Sequence, residues 1–133
     1  MPNTKATGVA YIDPEFTTCY ASEELGYAAA AQGTVTQETS KSTAVTLNRS
    51  AGQITMNGAA LANATNVTFT LNNSTITAKD VVILSVAAGA TAGAYNCWIS
   101  GKGTGTCSIT VRNISGGSLS EAIVINFAII HCL

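Results

Sequence analysis

His131 is the only histidine of the chain, so hydrolytic or transfer chemistry that needs an imidazole base would have to use it. Cys132 follows directly, but neighbouring residues of a strand point to opposite faces, so the two cannot form a thiolate and imidazole pair. Metal sites of the zinc type need several clustered ligands, and the sequence offers no second histidine. We therefore predict a structural role for His131, with no metal and no cofactor.

The seven carboxylates form no recognisable catalytic pair. Five of them lie within the first 38 residues, and Asp80 and Glu121 flank apolar segments that are far apart in the sequence. Hydrolysis of glycosidic bonds needs two carboxyl groups, one acting as a general acid and the other as a base or nucleophile. We predict that the chain is not an enzyme and that these carboxylates cap or stabilise turns.

The composition predicts a neutral surface. Only 10% of the residues are charged, 47% are hydrophobic, and the formal net charge is −1. Such a surface gives copies little mutual repulsion, so we expect a homo-dimer or a homo-trimer. The six basic residues are scattered, which argues against nucleic-acid binding, and no apolar stretch is long enough to span a membrane. The first residues lack the pattern of a secretory signal, which favours production in a cytoplasm.

Two regions follow from the pattern along the chain. Residues 1–33 contain both prolines and three of the four tyrosines and show no period of two, so we predict an extended N-terminal arm. A short helix can run through residues 23–32, begun by Ser22 and ended by Gly33. Residues 34–133 form the predicted β domain.

The β domain is predicted from short β-branched runs separated by Gly, Asn and Ser clusters. The eight expected strands are 34–38, 44–47, 53–56, 66–71, 81–87, 94–100, 106–113 and 122–130. No helix of useful length separates them, so the fold class is all-β: a jelly-roll-like antiparallel β-sandwich whose strand order the sequence leaves open. The strands at 81–87 and 122–130 are apolar on both faces, which suits central strands or strands covered by a neighbouring subunit.

Trp98 is the only tryptophan, and alternation places it on the polar face of its strand, with Asn96 and Ser100. The sequence leaves two roles open for Trp98: packing in the core of the domain, or contact with another protein. Four cysteines lack zinc spacing, so reduced, buried thiols are expected. Cys97 and Cys107 flank a glycine-rich turn at similar distances, so a disulfide across an antiparallel pair stays open.

Two segments resemble a recurrent β-rich domain of structural proteins in tailed bacteriophages: GTVTQETSKSTAVTLNRSAGQITMNGAAL from Gly33 and VRNISGGSLSEAIVINFAII from Val111. The resemblance implies a virion protein. With only a short arm before the sandwich, a small capsid cement or decoration protein is favoured, and a tail-fibre or tailspike-associated binding module is the alternative. The expected partner is the major capsid protein on the capsid exterior, after assembly in the host cytoplasm.

The interface residues expected for this role come from the aromatic arm and from the strand that carries the tryptophan. In the arm they are Tyr11, Ile12, Phe16 and Tyr20, which we expect to lie across a neighbour. In the domain the expected contact is Trp98.

Overall fold

The computed structural model describes residues 15–132, and its regular structure consists almost wholly of β-strands. All eight expected strands are present, most with ends shifted by one or two residues: β1 (Gln32–Thr36), β2 (Val45–Thr46), β3 (Ala51–Thr55), β4 (Asn66–Asn72), β5 (Val81–Ala88), β6 (Tyr95–Gly103), β7 (Thr106–Asn113) and β8 (Val124–Ile130). The largest shift is in β6, which continues to Gly103. A bulge between Ile99 and Gly101 lets it stay paired with β7.

The strands form two four-stranded sheets. Sheet A has the order β1-β3-β8-β5, and sheet B has the order β2-β4-β7-β6. The all-β sandwich is confirmed, but both sheets are mixed and not purely antiparallel, because β1 pairs with β3, and β2 with β4, in parallel. Between β1 and β3 the chain passes through β2 in the other sheet, so it can return to sheet A running in the same direction as before. Two strands joined directly by a hairpin are always antiparallel. The jelly-roll arrangement is not confirmed.

The inward faces of the sheets enclose one apolar core. Ile54 and Ile125 of sheet A and Phe69 and Ile109 of sheet B are almost completely buried. The expected alternation holds along β4, where Phe69 is buried and Thr68 faces outward. Burying each such aliphatic or aromatic side chain contributes about 1.5–3 kcal/mol, so these strands are held mainly by their inward residues.

The N-terminal segment that the structure describes has no α-helix. The helix expected at residues 23–32 is wrong: between residue 15 and β1 the structure has only a 3-10 turn, at Ala29–Ala31. Residues 15–30 are all exposed, so a helix there would bury no apolar face. Short helices without such packing are marginal, and Gly26 weakens this one further.

Buried asparagines hold the loops that follow two strands of sheet B. Asn113, at the end of β7, donates from Nδ2 to the carbonyls of Leu61 (2.7 Å) and Gly117 (2.8 Å). Its Oδ1 accepts from the backbone N–H (2.9 Å) and the hydroxyl (2.7 Å) of Ser115. Asn73, after β4, makes the same turn with Thr75. Asparagine favours this turn because its side chain substitutes for a backbone acceptor.

Lys41 is a buried lysine in the connection between β1 and β2. Its ammonium donates to the carbonyls of Asn57 and Glu121, each at 2.5 Å. Burial lowers its pKa, and the Glu121 carboxylate opposes that shift. Lys41 therefore connects the loop that follows β1 to the segments after β3 and before β8.

Candidate interaction surfaces

Ser50, His131 and Asp80 lie side by side at one end of sheet A. Ser50 precedes β3, Asp80 precedes β5, and His131 follows β8, which runs between those strands. Nδ1 of His131 is 3.1 Å from Oδ2 of Asp80, and Nε2 is 3.1 Å from Oγ of Ser50. Hydroxyl, imidazole and carboxylate in this order is the arrangement with which hydrolases activate a serine.

The Asp80 carboxylate has further partners that point to anchoring. It is 1% exposed and accepts from the backbone N–H groups of Cys132 (2.9 Å) and Thr77 (2.8 Å). These bonds, with a smaller contribution from His131, hold the pKa of Asp80 well below its usual range. The carboxylate joins the turn before β5 to the residues after β8, and we interpret the group as an anchor for that segment.

The sequence predicted a structural role for His131 and a turn role for Asp80, but their contact was missed, as was Ser50. The three residues are separated by 51 and 81 positions, so spacing alone gives no signal. The pairing of Val81 with Ile130 is the feature that places Asp80 beside His131. Strand order, which the sequence left open, decides this contact.

Trp98 lies on the outer face of sheet B, as the alternation along β6 predicted. Its side chain is 39% exposed, whereas Tyr95, Cys97 and Ile99 on the same strand are half-buried on the inner side. In the sheet register it lies beside Thr110, and Thr110 lies beside Thr68. The tryptophan therefore stands at the end of a row of hydroxyl groups.

These hydroxyls are hydrogen-bonded to one another. Oγ1 of Thr68 is 2.7 Å from Oγ1 of Thr110, which donates to Oγ of Ser100 at 2.6 Å. The row keeps the outer face of sheet B polar and orders the side chains around Trp98. An aromatic ring beside ordered hydroxyls suits contact with another protein or with a sugar ring.

The outer face of sheet A carries an apolar surface at its β5 edge. Val81, Ile83 and Ile130 are each roughly half exposed, and Val81 is directly opposite Ile130 in the register. We call these three residues the β5 patch. The expectation that β5 is a central strand is wrong, because it is the last strand of its sheet. The alternative, that a neighbouring subunit covers it, stays a prediction.

The arm exposes aromatic and aliphatic side chains. Phe16 is 60% and Tyr20 is 93% exposed, and Leu25, which the sequence analysis did not single out, is also exposed. Tyr11 and Ile12 lie outside the described residues. The arm is fastened to the sandwich by Tyr27, whose hydroxyl donates to the carbonyl of Ile129. That contact places the base of the arm beside the last residues of β8.

The four cysteines are free thiols. Cys97 is opposite Val111, and Cys107 is opposite Lys102, so the two cysteines do not face each other across the β6 and β7 pair. Burial raises the pKa of each of these two thiols to about 11. The expectation that all four thiols are buried is wrong for Cys19, which is exposed.

Shallow clefts on the described domain include one over β1, β3 and β8 on the outer face of sheet A, and one at the end of β5. Neither contains Ser50, His131 or Asp80. Among residues 15–132, no group of three or more His, Cys, Asp or Glu side chains is placed to hold a metal ion. In the same part of the chain, no helix has the length and apolar character needed to cross a membrane.

Comparison with models of known families, with curated protein sequences and with solved structures found no match.

Proposed function

We propose that the chain is a non-enzymatic structural protein of a bacteriophage particle, a cement protein that binds the outside of the coat lattice and bridges neighbouring coat subunits. The observation that carries the proposal is the apolar surface left open by the described chain: the β5 patch, Trp98, and the exposed arm side chains Phe16 and Tyr20. Contiguous or aromatic apolar surface of this kind marks sites of protein contact. The likeness of two segments to phage structural domains supplies the kind of assembly.

The mechanism is thermodynamic linkage. A protein that binds the assembled shell and not its open or ruptured form stabilises the shell by its binding free energy. Many copies acting at separate junctions add their contributions. The low charge of the chain suits such a lattice, because copies can stand close together without strong repulsion.

Co-sedimentation of the purified chain with expanded coat shells tests the proposal. We expect it to pellet with the shells, and we expect removal of residues 1–26 to weaken binding. That deletion spares Tyr27 and β1, so the sandwich itself is retained. The matched point variants are Trp98→Ala and, as a control two residues away on the same exposed face, Asn96→Ala. Undiminished binding by both the deletion and Trp98→Ala would contradict the assigned surfaces.

A second candidate is a tail-fibre or tailspike-associated binding module, and the hydroxyl row beside Trp98 favours it. There the indole would stack on a sugar ring while neighbouring hydroxyl groups contact the hydroxyls of the sugar. Binding of host-surface polysaccharide that is lost in Trp98→Ala and kept in Asn96→Ala would support this module over the cement role. Absence of polysaccharide binding by the unaltered chain would exclude it.

A further inference from the structure

We propose that residues 16–20 of one copy add as a fifth strand to the free edge of β5 in a second copy. This inference rests on the proposed structural role and deepens it, because it names the partner and the surface for self-association. The observations that carry it are an unprotected sheet edge, a strand-forming segment without a sheet, and the position from which the arm leaves the sandwich.

β5 is the unprotected edge of the sandwich. It is eight residues long, contains no charged residue and no proline, and presents apolar side chains on both faces. The other three edges differ: β1 is short and mostly polar, β2 has two residues, and β6 carries Lys102. Exposed edges are normally shortened, charged or covered, since their free N–H and C=O groups accept another strand. Among the described residues no segment pairs with the free edge of β5, and the nearest cation, Lys102 of β6, contacts only the residue before the strand, at the carbonyl of Asp80.

Residues 16–20 have the composition of a strand. Their sequence, Phe-Thr-Thr-Cys-Tyr, consists of aromatic and β-branched residues and one cysteine, which favour extended pairing. In the structure they are exposed and belong to no strand. As a fifth strand, one face would carry Phe16 and Tyr20 against the β5 patch. The other face would carry Thr17 and Cys19.

The inner side of β5 also has room for such a strand. Val82 and Leu84 point inward but are only half-buried, unlike the corresponding residues of β8, which are buried. Within residues 15–132, sheet A ends at β5, so no further strand of this part of the chain covers these two side chains from the side. Small side chains such as Thr17 and Cys19 would continue the inner layer at this edge.

A second copy is the occupant we infer, because residues 16–20 lie unpaired with β5 of their own copy. The hydroxyl of Tyr27 fixes the base of the arm at the carbonyl of Ile129, and residues 16–26 in extended form reach roughly 35 Å, enough to cross a neighbouring domain. Neither residues 16–20 nor β5 is charged, so the pairing meets no repulsion. Each copy holds both complementary elements, so an exchange between copies can close symmetrically and use both.

The experiment measures self-association of the full chain, without coat protein, by sedimentation equilibrium. Ile83→Lys places a charge on the outward side of β5, and its matched control is Thr34→Lys on β1, the opposite edge and the same face of sheet A. We expect the unaltered chain and Thr34→Lys to associate equally. Ile83→Lys and the deletion of residues 1–26 should each raise the dissociation constant by about tenfold or more. Circular dichroism checks that the variants stay folded. If Ile83→Lys disturbs the fold, the deletion of residues 1–26 still tests the pairing, because it leaves β5 unchanged.

A mixing experiment separates strand exchange from other modes of association. The deletion variant keeps a free β5, and Ile83→Lys keeps its arm, so the two mixed together should form pairs that neither forms alone. Association of both variants as tight as that of the unaltered chain would overturn the proposal, since another surface would then be responsible. A full chain that remains monomeric, with its own arm protected from hydrogen exchange, would overturn it in favour of pairing within one copy. Neither result depends on coat binding, so the cement role is tested separately.

Discussion

Asn113 is fully buried at the end of β7, and its side chain makes four hydrogen bonds to two loops. The change to alanine removes all four. The two groups on Ser115 lie near the surface and can bind water instead, and the carbonyl of Leu61 keeps its bond from the backbone N–H of Leu119. The net loss is then about 2–3 kcal/mol, from about 1 kcal/mol for each of the two inward bonds plus a small cavity.

The assay is urea and thermal unfolding, with Asn96→Ala on exposed β6 as the control. For a domain of this size we expect Asn113→Ala to lower Tm by about 10 °C, and the control to stay within about 0.5 kcal/mol of the unaltered chain. Asn113→Asp sets a carboxylate against the carbonyls of Leu61 and Gly117, so it should be unstable at neutral pH and recover as acid protonates it. A loss below about 1 kcal/mol in Asn113→Ala would refute the assignment of these bonds as the anchor of the loops.

Three further predictions follow from the titratable and nucleophilic groups. The folded-state pKa of Asp80 is depressed, so its stabilisation is complete above about pH 5 and is lost as the pH falls below about 4; Asp80→Asn should flatten that acid decline in urea midpoints. Because Ser50 is assigned to an anchor, a fluorophosphonate probe should leave it unlabelled, and rapid labelling, detected by mass spectrometry, would contradict the non-enzymatic proposal. Burial raises the pKa of the Cys97 and Cys107 thiols to about 11, so iodoacetamide at pH 8 should modify exposed Cys19 first, as peptide mapping will measure.

Local pattern was enough to find the strands. Each β-branched run bounded by Gly, Asn or Ser became a strand, because inward residues such as Phe69 and Ile109 recur with a period of two and must be buried together. The same local information failed in the arm. A helix at residues 23–32 would have no apolar face packed against the sandwich, so no α-helix forms there.

Pairing between distant strands could not be read from the sequence. The parallel pairs β1 with β3 and β2 with β4 depend on the chain crossing between sheets, and no local signal distinguishes that path from a hairpin. The edge position of β5 and the contact of Asp80 with His131 also depend on the strand order, which the sequence did not predict. Trp98 was placed correctly because its face depends only on alternation along one strand.

The number of copies per purified particle tests the central claim most directly. Quantitative mass spectrometry of intact virions, calibrated against the major coat protein, gives this ratio without altering the chain. The cement proposal predicts an abundance comparable with that of the coat subunit, because each lattice junction would take a copy. An abundance that is only a small fraction of the coat protein, or absence from the particle, would contradict it.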